Sequence, residues 1–118
     1  MLARQNRITA EKTINKFFGA QLTKLRGWTV ASSLFVLKII PVAKKNSRAA
    51  FIVSTKVDNR ATERNRIKRQ LREITRLNLK NFKQPVDLLV VVKESCKNRP
   101  NEIVKSDFQA LLKKSQLL

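Results

Sequence analysis

One stretch of thirteen residues, Ala61–Glu73, carries the densest cationic chemistry in the chain. It contains five basic side chains, four of them Arg, and the planar guanidinium of Arg fits phosphate oxygens better than the Lys ammonium does. Only Glu63 and Glu73 are near enough in sequence to neutralise these charges. A basic run can be merely a solvated face, but the density of Arg here favours a polyanion site. The candidate binding residues are Arg60, Arg64, Asn65, Arg66, Lys68, Arg69 and Arg72.

A helix is the element that would place these cations on a common surface. At helical spacing, Arg64, Lys68 and Arg72 would form a ridge along the helix. Arg66 and Arg69 would widen that ridge to one side. Fixed cations in a row match the regular spacing of phosphates along a nucleic acid, which makes this ridge the main candidate site.

The same helix would also contribute to the core. Ile67, Leu71 and Ile74 share a face at the spacing of a buried stripe, and the periodicity continues to about Asn78. Asn65 stands between two Arg residues, where its amide could bond a ribose, a phosphate or a neighbouring backbone group. A structural hydrogen bond to the preceding turn is the alternative role for this amide.

The charge of the whole chain favours a nucleic acid as the partner. The 118 residues contain 26 Lys or Arg and 8 Asp or Glu, which gives a net charge of +18. Dense phosphates would relieve this self-repulsion, and their binding would release counterions. An anionic membrane is the other candidate, but no apolar run approaches the roughly 20 residues that span a bilayer. We therefore expect no membrane partner.

The inventory of reactive side chains disfavours an enzyme that acts alone. The chain has no histidine, which removes the usual general base and the usual zinc ligand. Its eight acidic residues are scattered and form no paired-carboxylate motif. Cys96 is the single cysteine, so no internal disulfide is expected and a reducing cytoplasm fits. Met1–Arg7 leads into no apolar signal core, so no secretory peptide is expected.

Length and periodicity predict a single α+β domain over residues 1–118, with residues 1–7 as a basic arm or a frayed terminus. The short link between the second and third strands predicts an antiparallel hairpin, and the strand after the basic helix should lie parallel to a neighbour. Asp58 or Asn59 can cap the basic helix. Besides that helix, the predicted elements are a helix from Ala10 to Gly19, strands at Trp28–Val30, Leu34–Ile40, Ala49–Val57 and Val86–Val92, and a last helix at Asn101–Lys114.

The first predicted helix carries Ile14, Phe17 and Phe18 at a spacing typical of one face. All three belong to the core, or one of them, Phe18 foremost, lies at the edge of a groove and stacks on a nucleotide. Trp28 is expected to be a packing residue. The chain has no helix-turn-helix, zinc-finger or RNA-recognition motif, so these patterns alone indicate a basic α+β nucleic-acid binder.

Residues 48–73 resemble the bacterial ribonuclease P protein component. The hallmark of that family is a strand ending in Val-Ser-Lys-Lys-Val, a short link, and then Ala-Val-x-Arg-Asn-Arg-x-Lys-Arg-x-x-Arg-Glu. Here the strand ends in Val53–Val57, and Ala61–Glu73 matches every basic position of the helix in register. Thr55 replaces the first Lys of the pair, and Ile14 stands where the family usually has Phe.

The resemblance implies an α+β sandwich in the order αβββαβα, with a four-stranded mixed sheet, three helices and a left-handed β-α-β crossover. It implies the protein subunit of a cytoplasmic ribonucleoprotein endonuclease, which removes the 5′ leader from precursor tRNA. Its partners would be the catalytic RNA and precursor tRNA, with no protein partner. Catalysis and Mg²⁺ would belong to the RNA, with no catalytic residue or metal site on the protein.

The resemblance also divides the surface between the two RNAs. The basic helix would face the catalytic RNA, and a cleft between the first helix and the sheet would take the single-stranded leader. Candidates to line that cleft are Phe18, Phe35, Val53 and Lys56. A ribosomal-protein-like RNA binder with no processing role is the alternative function. A nuclease that acts alone is a third, which the lack of histidine and of paired carboxylates disfavours.

Overall fold

A four-stranded mixed sheet organises the protein, whose computed structural model describes residues 4–8, 11–43 and 46–117. The α+β class and the mixed sheet predicted from the sequence are confirmed. The strands, in the spatial order β1-β2-β4-β3, are β1 (Trp28–Ala31), β2 (Phe35–Pro41), β3 (Arg48–Ile52) and β4 (Val86–Val92). The α-helices are α1 (Glu11–Asn15), α2 (Ala20–Lys24), α3 (Ala61–Asn78) and α4 (Asn101–Lys114).

The pairing of the strands differs from the sequence prediction. β2 is antiparallel to both β1 and β4, while β3 is parallel to β4, so the predicted hairpin between the second and third strands is wrong. β3 instead lies beyond β4, two strand spacings or about 10 Å from β2. β4 takes the central position because six of its seven residues are buried, as a strand covered on both faces requires.

The connection from β3 through α3 to β4 confirms that the strand after the basic helix is parallel to a neighbour. The left-handed sense of this crossover stays a prediction. α3, β4 and α4 begin and end close to the predicted residues.

The first helix is interrupted at Gly19. This glycine has a φ of 65°, a value that residues with a side chain rarely adopt, and it separates α1 from α2. The described residues therefore contain four α-helices where three were predicted, and α2 lies in the expected basic connection. Ala10, the predicted start of the first helix, lies outside the described residues.

The sheet separates two apolar clusters. Phe35, Leu37 and Ile39 of β2 are buried in the larger cluster, together with residues of α3 and α4. Ile40 belongs to the smaller cluster on the opposite face, where fully buried Phe17 packs. The alternation along β2 thus assigns one face to α3 and α4 and the other to the N-terminal helices.

The N-terminal segment lies against the outer edge of β3. Arg7 forms an isolated parallel bridge with Ala49, whose carbonyl accepts a hydrogen bond from the Ile8 N–H at 2.9 Å. The Asn6 side-chain amide donates to the Ser47 carbonyl at 2.8 Å. Residues 1–3 of the predicted basic arm lie outside the described residues, and the rest of that arm is attached to the sheet rather than frayed.

A buried ion pair joins β3 to β4 at directly paired positions. Arg48 donates from Nε and Nη2 to the two carboxylate oxygens of Asp87, at 3.0 and 2.7 Å. Asp87 is only 6% exposed, and its carboxylate raises the pKa of Arg48. Because a shift in register would leave this carboxylate buried without a partner, the pair helps to specify the parallel alignment.

Candidate nucleic-acid interface

The cations of α3 extend around the helix from one flank of its apolar stripe to the other. Its apolar stripe is buried in the larger cluster, as predicted, and consists of Ile67, Leu71 and Ile74. Successive helix residues are rotated by about 100°, so Arg64, Lys68 and Arg72 lie on one flank of the stripe. Arg66 lies on the other flank, facing α4, and Arg69 lines a groove there with Lys105. Arg69 is three residues from both Arg66 and Arg72 and so neighbours each of them on the helix surface, and the widening of the ridge by Arg66 and Arg69 stays a prediction.

Arg66 is held in place by two partners. Its Nε donates to the Glu63 carboxylate at 2.8 Å, one turn back along α3. Its Nη1 donates to the side-chain oxygen of Asn101, the first residue of α4, at 2.5 Å. Arg66 thus connects the two helices and keeps part of its guanidinium exposed.

The link between β3 and α3 fixes two more arginines. Arg64 Nη1 donates to the backbone carbonyls of Asp58 and Asn59, both at 2.9 Å. Arg60 donates from Nε and Nη2 to the Asp58 carboxylate, at 3.1 and 3.0 Å, and its backbone N–H donates to the same group. These hydrogen bonds lower the pKa of Asp58 to about 2.

These contacts also correct the expected helix cap. Arg60 occupies the N-cap position and no side chain caps the helix. Asp58 therefore closes the link through Arg60 instead of capping α3, because its side chain accepts the N–H of the residue before the first helical turn.

Three other cations of α3 have no partner among the residues that the structure describes. Lys68, Arg69 and Arg72 make no ion pair or hydrogen bond with the described part of the chain. The exposed side chain of Asn65 likewise makes no hydrogen bond to a described residue, so the structural role considered for its amide is absent here. The stretch is thus divided into cations oriented by the protein itself and cations available to an external anion.

Phe17 and Phe18, which follow α1, have opposite environments. Phe17 is completely buried, whereas Phe18 is 45% exposed. The Nζ of Lys38 lies 5.0 Å from the centre of the Phe18 ring, within the range of a cation–π contact. Phe18 therefore lies partly exposed beside β2 and does not belong to the core.

Phe35 and Val53 do not pack on the side of the sheet where Phe18 lies, so their assignment to a cleft there is wrong. Both are buried in the cluster on the α3 and α4 face, and Phe35 is completely inaccessible. The Phe35 ring packs edge-on against Phe108 of α4, with ring centres 5.4 Å apart. Strand alternation is the physical reason, because odd-numbered residues of β2 point away from the N-terminal helices.

Lys38 is the residue beside Phe18 that the sequence prediction missed. It lies on the same face of β2 as half-buried Val36, and half-buried Ile52 and Val91 pack against the cluster on that face. The sequence signal that could have identified Lys38 is that it is the one cation in an otherwise apolar strand. It lies three residues from Phe35 and therefore on the opposite face. Lys56, which was predicted for the cleft, is exposed just beyond β3.

The other chemistry-bearing groups have structural surroundings. Trp28 donates from Nε1 to the Ser115 carbonyl at 3.1 Å, which confirms its packing role. Cys96 is buried, and this burial raises the pKa of its thiol. In residues 4–8, 11–43 and 46–117, no three Cys, Asp or Glu side chains cluster in a way that could hold a metal ion. The side chains described here therefore do not fit a protein-bound Mg²⁺ site.

No helix in the described ranges is both long and apolar enough to cross a membrane.

Comparisons with known proteins agree on one family. The family model described as Ribonuclease P matches residues 2–116. The ribonuclease P protein component of Desulfatibacillum aliphaticivorans is 36% identical over 86 residues, which cover 73% of this chain and 72% of that protein. The protein of the same name from Natranaerobius thermophilus is 36% identical over 92 residues, covering 78% and 79% of the two chains.

Solved structures show the same fold. The RNase P protein of Staphylococcus aureus superposes with a TM-score of 0.82 at 22% identity, over 95% of this chain and 96% of that chain. An RNase P protein from Thermotoga maritima, solved in complex with a fluorophenyl thiourea, gives a TM-score of 0.70 at 25% identity. That match covers 89% and 98% of the two chains.

Proposed function

The chain belongs to the ribonuclease P protein family, and from this premise we propose that it is the protein subunit of a ribonuclease P. The enzyme would remove the 5′ leader of precursor tRNA by hydrolysis. One observation carries the proposal: α3 presents the basic pattern of the family in register, and several of those cations are unpaired within the described residues. The unpaired cations are Lys68, Arg69 and Arg72.

The catalytic RNA would bind across α3. Lys68 and Arg72 on one flank are free to replace counterions on phosphates. Arg60 and Arg64 are already oriented by the link before the helix, so less conformational entropy is lost when they contact the RNA. Asn65 would contribute an amide to a ribose or a phosphate from the exposed surface between the flanks.

The 5′ leader would bind in the cleft beside the N-terminal helices. Phe18 offers a half-exposed ring on which an unpaired base can stack, and stacking of this kind does not depend on sequence. Lys38 beside that ring and Lys56 beyond β3 would contact the leader phosphates. Substrate and catalytic RNA would therefore meet different elements of the protein.

The chemical step would belong to the RNA subunit. Mg²⁺, bound by that RNA, would supply the activated water. The protein carboxylates support this division of labour, because Asp58, Glu63 and Asp87 are each paired with an Arg. The contribution of the protein would be to bind and orient the two RNAs, in the cytoplasm.

Reconstitution tests this function. The protein is mixed with a cognate ribonuclease P RNA and a leader-bearing precursor tRNA at low Mg²⁺, where the RNA alone is disadvantaged by phosphate repulsion. We expect the protein to increase both cleavage and substrate affinity. If it binds RNA but changes neither, the ribosomal-protein-like alternative holds instead, and cleavage by the protein alone would indicate an independent nuclease.

A further inference from the structure

A second basic site lies on the far flank of α3, away from Lys68 and Arg72. The N-terminal half of α3 and the segment before α4 enclose a cavity of about 260 Å³. Its walls include Arg60 from the N-cap of α3, Arg66 from the helix itself, and Lys97 and Arg99 from the segment that leads into α4. The predicted leader cleft lies on the opposite face of the sheet, so this cavity is a separate feature of the surface.

The charges around the cavity favour a small anion. Asp58 and Glu63 also line it, so four cations face two carboxylates. The carboxylates hold the guanidinium groups of Arg60 and Arg66, and each guanidinium has five N–H donors, more than these contacts use. Lys97 and Arg99 are exposed at the rim, and Arg99 donates from Nε to the Ser95 carbonyl at 3.2 Å. A phosphate can therefore be bound without breaking an internal ion pair.

A buried acceptor shows that an anion alone does not complete the site. Gln70 lines the cavity, and its side-chain oxygen is buried and has no hydrogen-bond partner in residues 4–8, 11–43 and 46–117. Such an atom destabilises the free protein, because it has lost water without gaining a donor. A group with an N–H or O–H would satisfy it, and the ionised phosphodiester of an RNA backbone has neither.

We propose that this cavity binds one unpaired nucleotide of the catalytic RNA, a proposal that rests on the function given above. A nucleotide combines a phosphate for the cations with a base amino group or a 2′-hydroxyl for Gln70. The enclosed cavity is too small to admit a duplex. It also shares Arg60 and Arg66 with the basic surface of α3, so an RNA strand bound along α3 reaches it directly.

Gln70→Leu is the sharpest test, because it changes stability and binding in opposite directions. Leu removes the unsatisfied oxygen, so the melting temperature of the free protein should rise or stay unchanged. Affinity for the cognate RNA should fall by about 3- to 10-fold, the contribution of one hydrogen bond. Gln109→Leu, the same substitution at an exposed position of α4, is the matched control and should leave RNA affinity unchanged.

The rim cations are tested through the salt dependence of binding. Lys97→Ala/Arg99→Ala should lower the slope of log affinity against log salt by about 1.4, for two contacts to single-stranded phosphates. The control Lys113→Ala/Lys114→Ala removes the same charge from the other end of α4 and should change the slope less.

Chemical probing of the bound RNA locates the nucleotide. In the wild-type complex, at least one unpaired nucleotide should be protected, and Gln70→Leu should restore its reactivity while the rest of the footprint stays. The cavity proposal would be overturned if the wild-type protein stimulates cleavage but Gln70→Leu gives the same RNA footprint and the same RNA affinity as the wild type. That result would leave the subunit function intact. A wild-type protein that does not bind the RNA would overturn both.

Discussion

Phe17 and Phe18 are adjacent in sequence and opposite in environment, so replacing each by Ala separates folding from leader binding. Phe17 is fully buried in the smaller cluster, and its loss should cost about 3–5 kcal/mol of stability through lost burial and a cavity. Phe18 is 45% exposed, so Phe18→Ala should cost about 1 kcal/mol, roughly half of a fully buried Phe side chain. The cation–π contact with Lys38 is already exposed and adds less than that.

The effect of Phe18→Ala on binding should be larger than its effect on folding. Stacking of a base on an aromatic ring contributes about 1–3 kcal/mol, which corresponds to about 5- to 150-fold in affinity. Only the leader would use this ring, so the loss should appear with precursor tRNA and not with mature tRNA. The ratio of the two affinities is therefore the quantity to measure.

The assay compares both tRNAs on the enzyme reconstituted from the cognate RNA and each protein variant. Urea denaturation of the free proteins provides the control for folding. Equal losses for precursor and mature tRNA would mean that Phe18 supports the fold or the catalytic RNA rather than the leader. An unchanged precursor affinity would refute the role of the ring altogether, because the exposed aromatic surface would then contact nothing.

Three further predictions concern the basic helix, the sheet and acid stability. Lys68→Ala/Arg72→Ala should reduce the slope of log affinity for the catalytic RNA against log salt by about 1.4. A slope equal to that of the wild-type protein would mean that this flank only faces solvent. Asp87→Asn should lower the free energy of unfolding, measured by urea denaturation, by about 3 kcal/mol. This is the low end for a broken buried ion pair, because the Arg48 side chain is 24% exposed. A loss below about 1 kcal/mol would contradict a structural role for the pair. The pKa of Asp58 falls from 3.8 to about 2 on folding, so the stabilisation from its ion pair is complete above about pH 4 and disappears as the pH falls through 2. Asp58→Asn should therefore reduce the loss of unfolding free energy between about pH 4 and pH 2. If the variant lost as much stability over this range as the wild type, Asp58 would be excluded as the source of the loss.

Local periodicity was sufficient for the later half of the fold. The stripe of Ile67, Leu71 and Ile74 predicted α3 because its spacing leaves one face for the core. The apolar run Val86–Val92 predicted β4 because nearly every residue must be buried. Both signals lie within single elements, so no tertiary information was needed.

Strand pairing and side-chain facing could not be obtained in this way. The choice between β3 and β4 as the partner of β2 depends on burial across the whole sheet, which a short link does not reveal. The face on which each side chain of β2 lies then decides which residues are near Phe18. Phe35 and Lys38 are three residues apart in one strand and therefore lie on opposite faces. The cleft residues predicted from sequence position included Phe35 and missed Lys38. Strand alternation alone excludes that both side chains lie on the same face of the sheet.

The internal contacts of α3 also constrain the two RNA sites proposed above. Arg64 bonds the carbonyls of the link that follows β3, and Ala50 of β3 belongs to the same cluster as Phe17, the neighbour of Phe18. If the catalytic RNA binds along α3 and the leader binds at Phe18, the bonds of Arg64 would fix the position of one RNA relative to the other, because rotation of the helix would break them. Arginines without such bonds would also bind phosphate but would leave this orientation undefined. We therefore expect the internally bonded arginines to set the geometry between the RNAs, and Lys68, Arg69 and Arg72 to supply affinity.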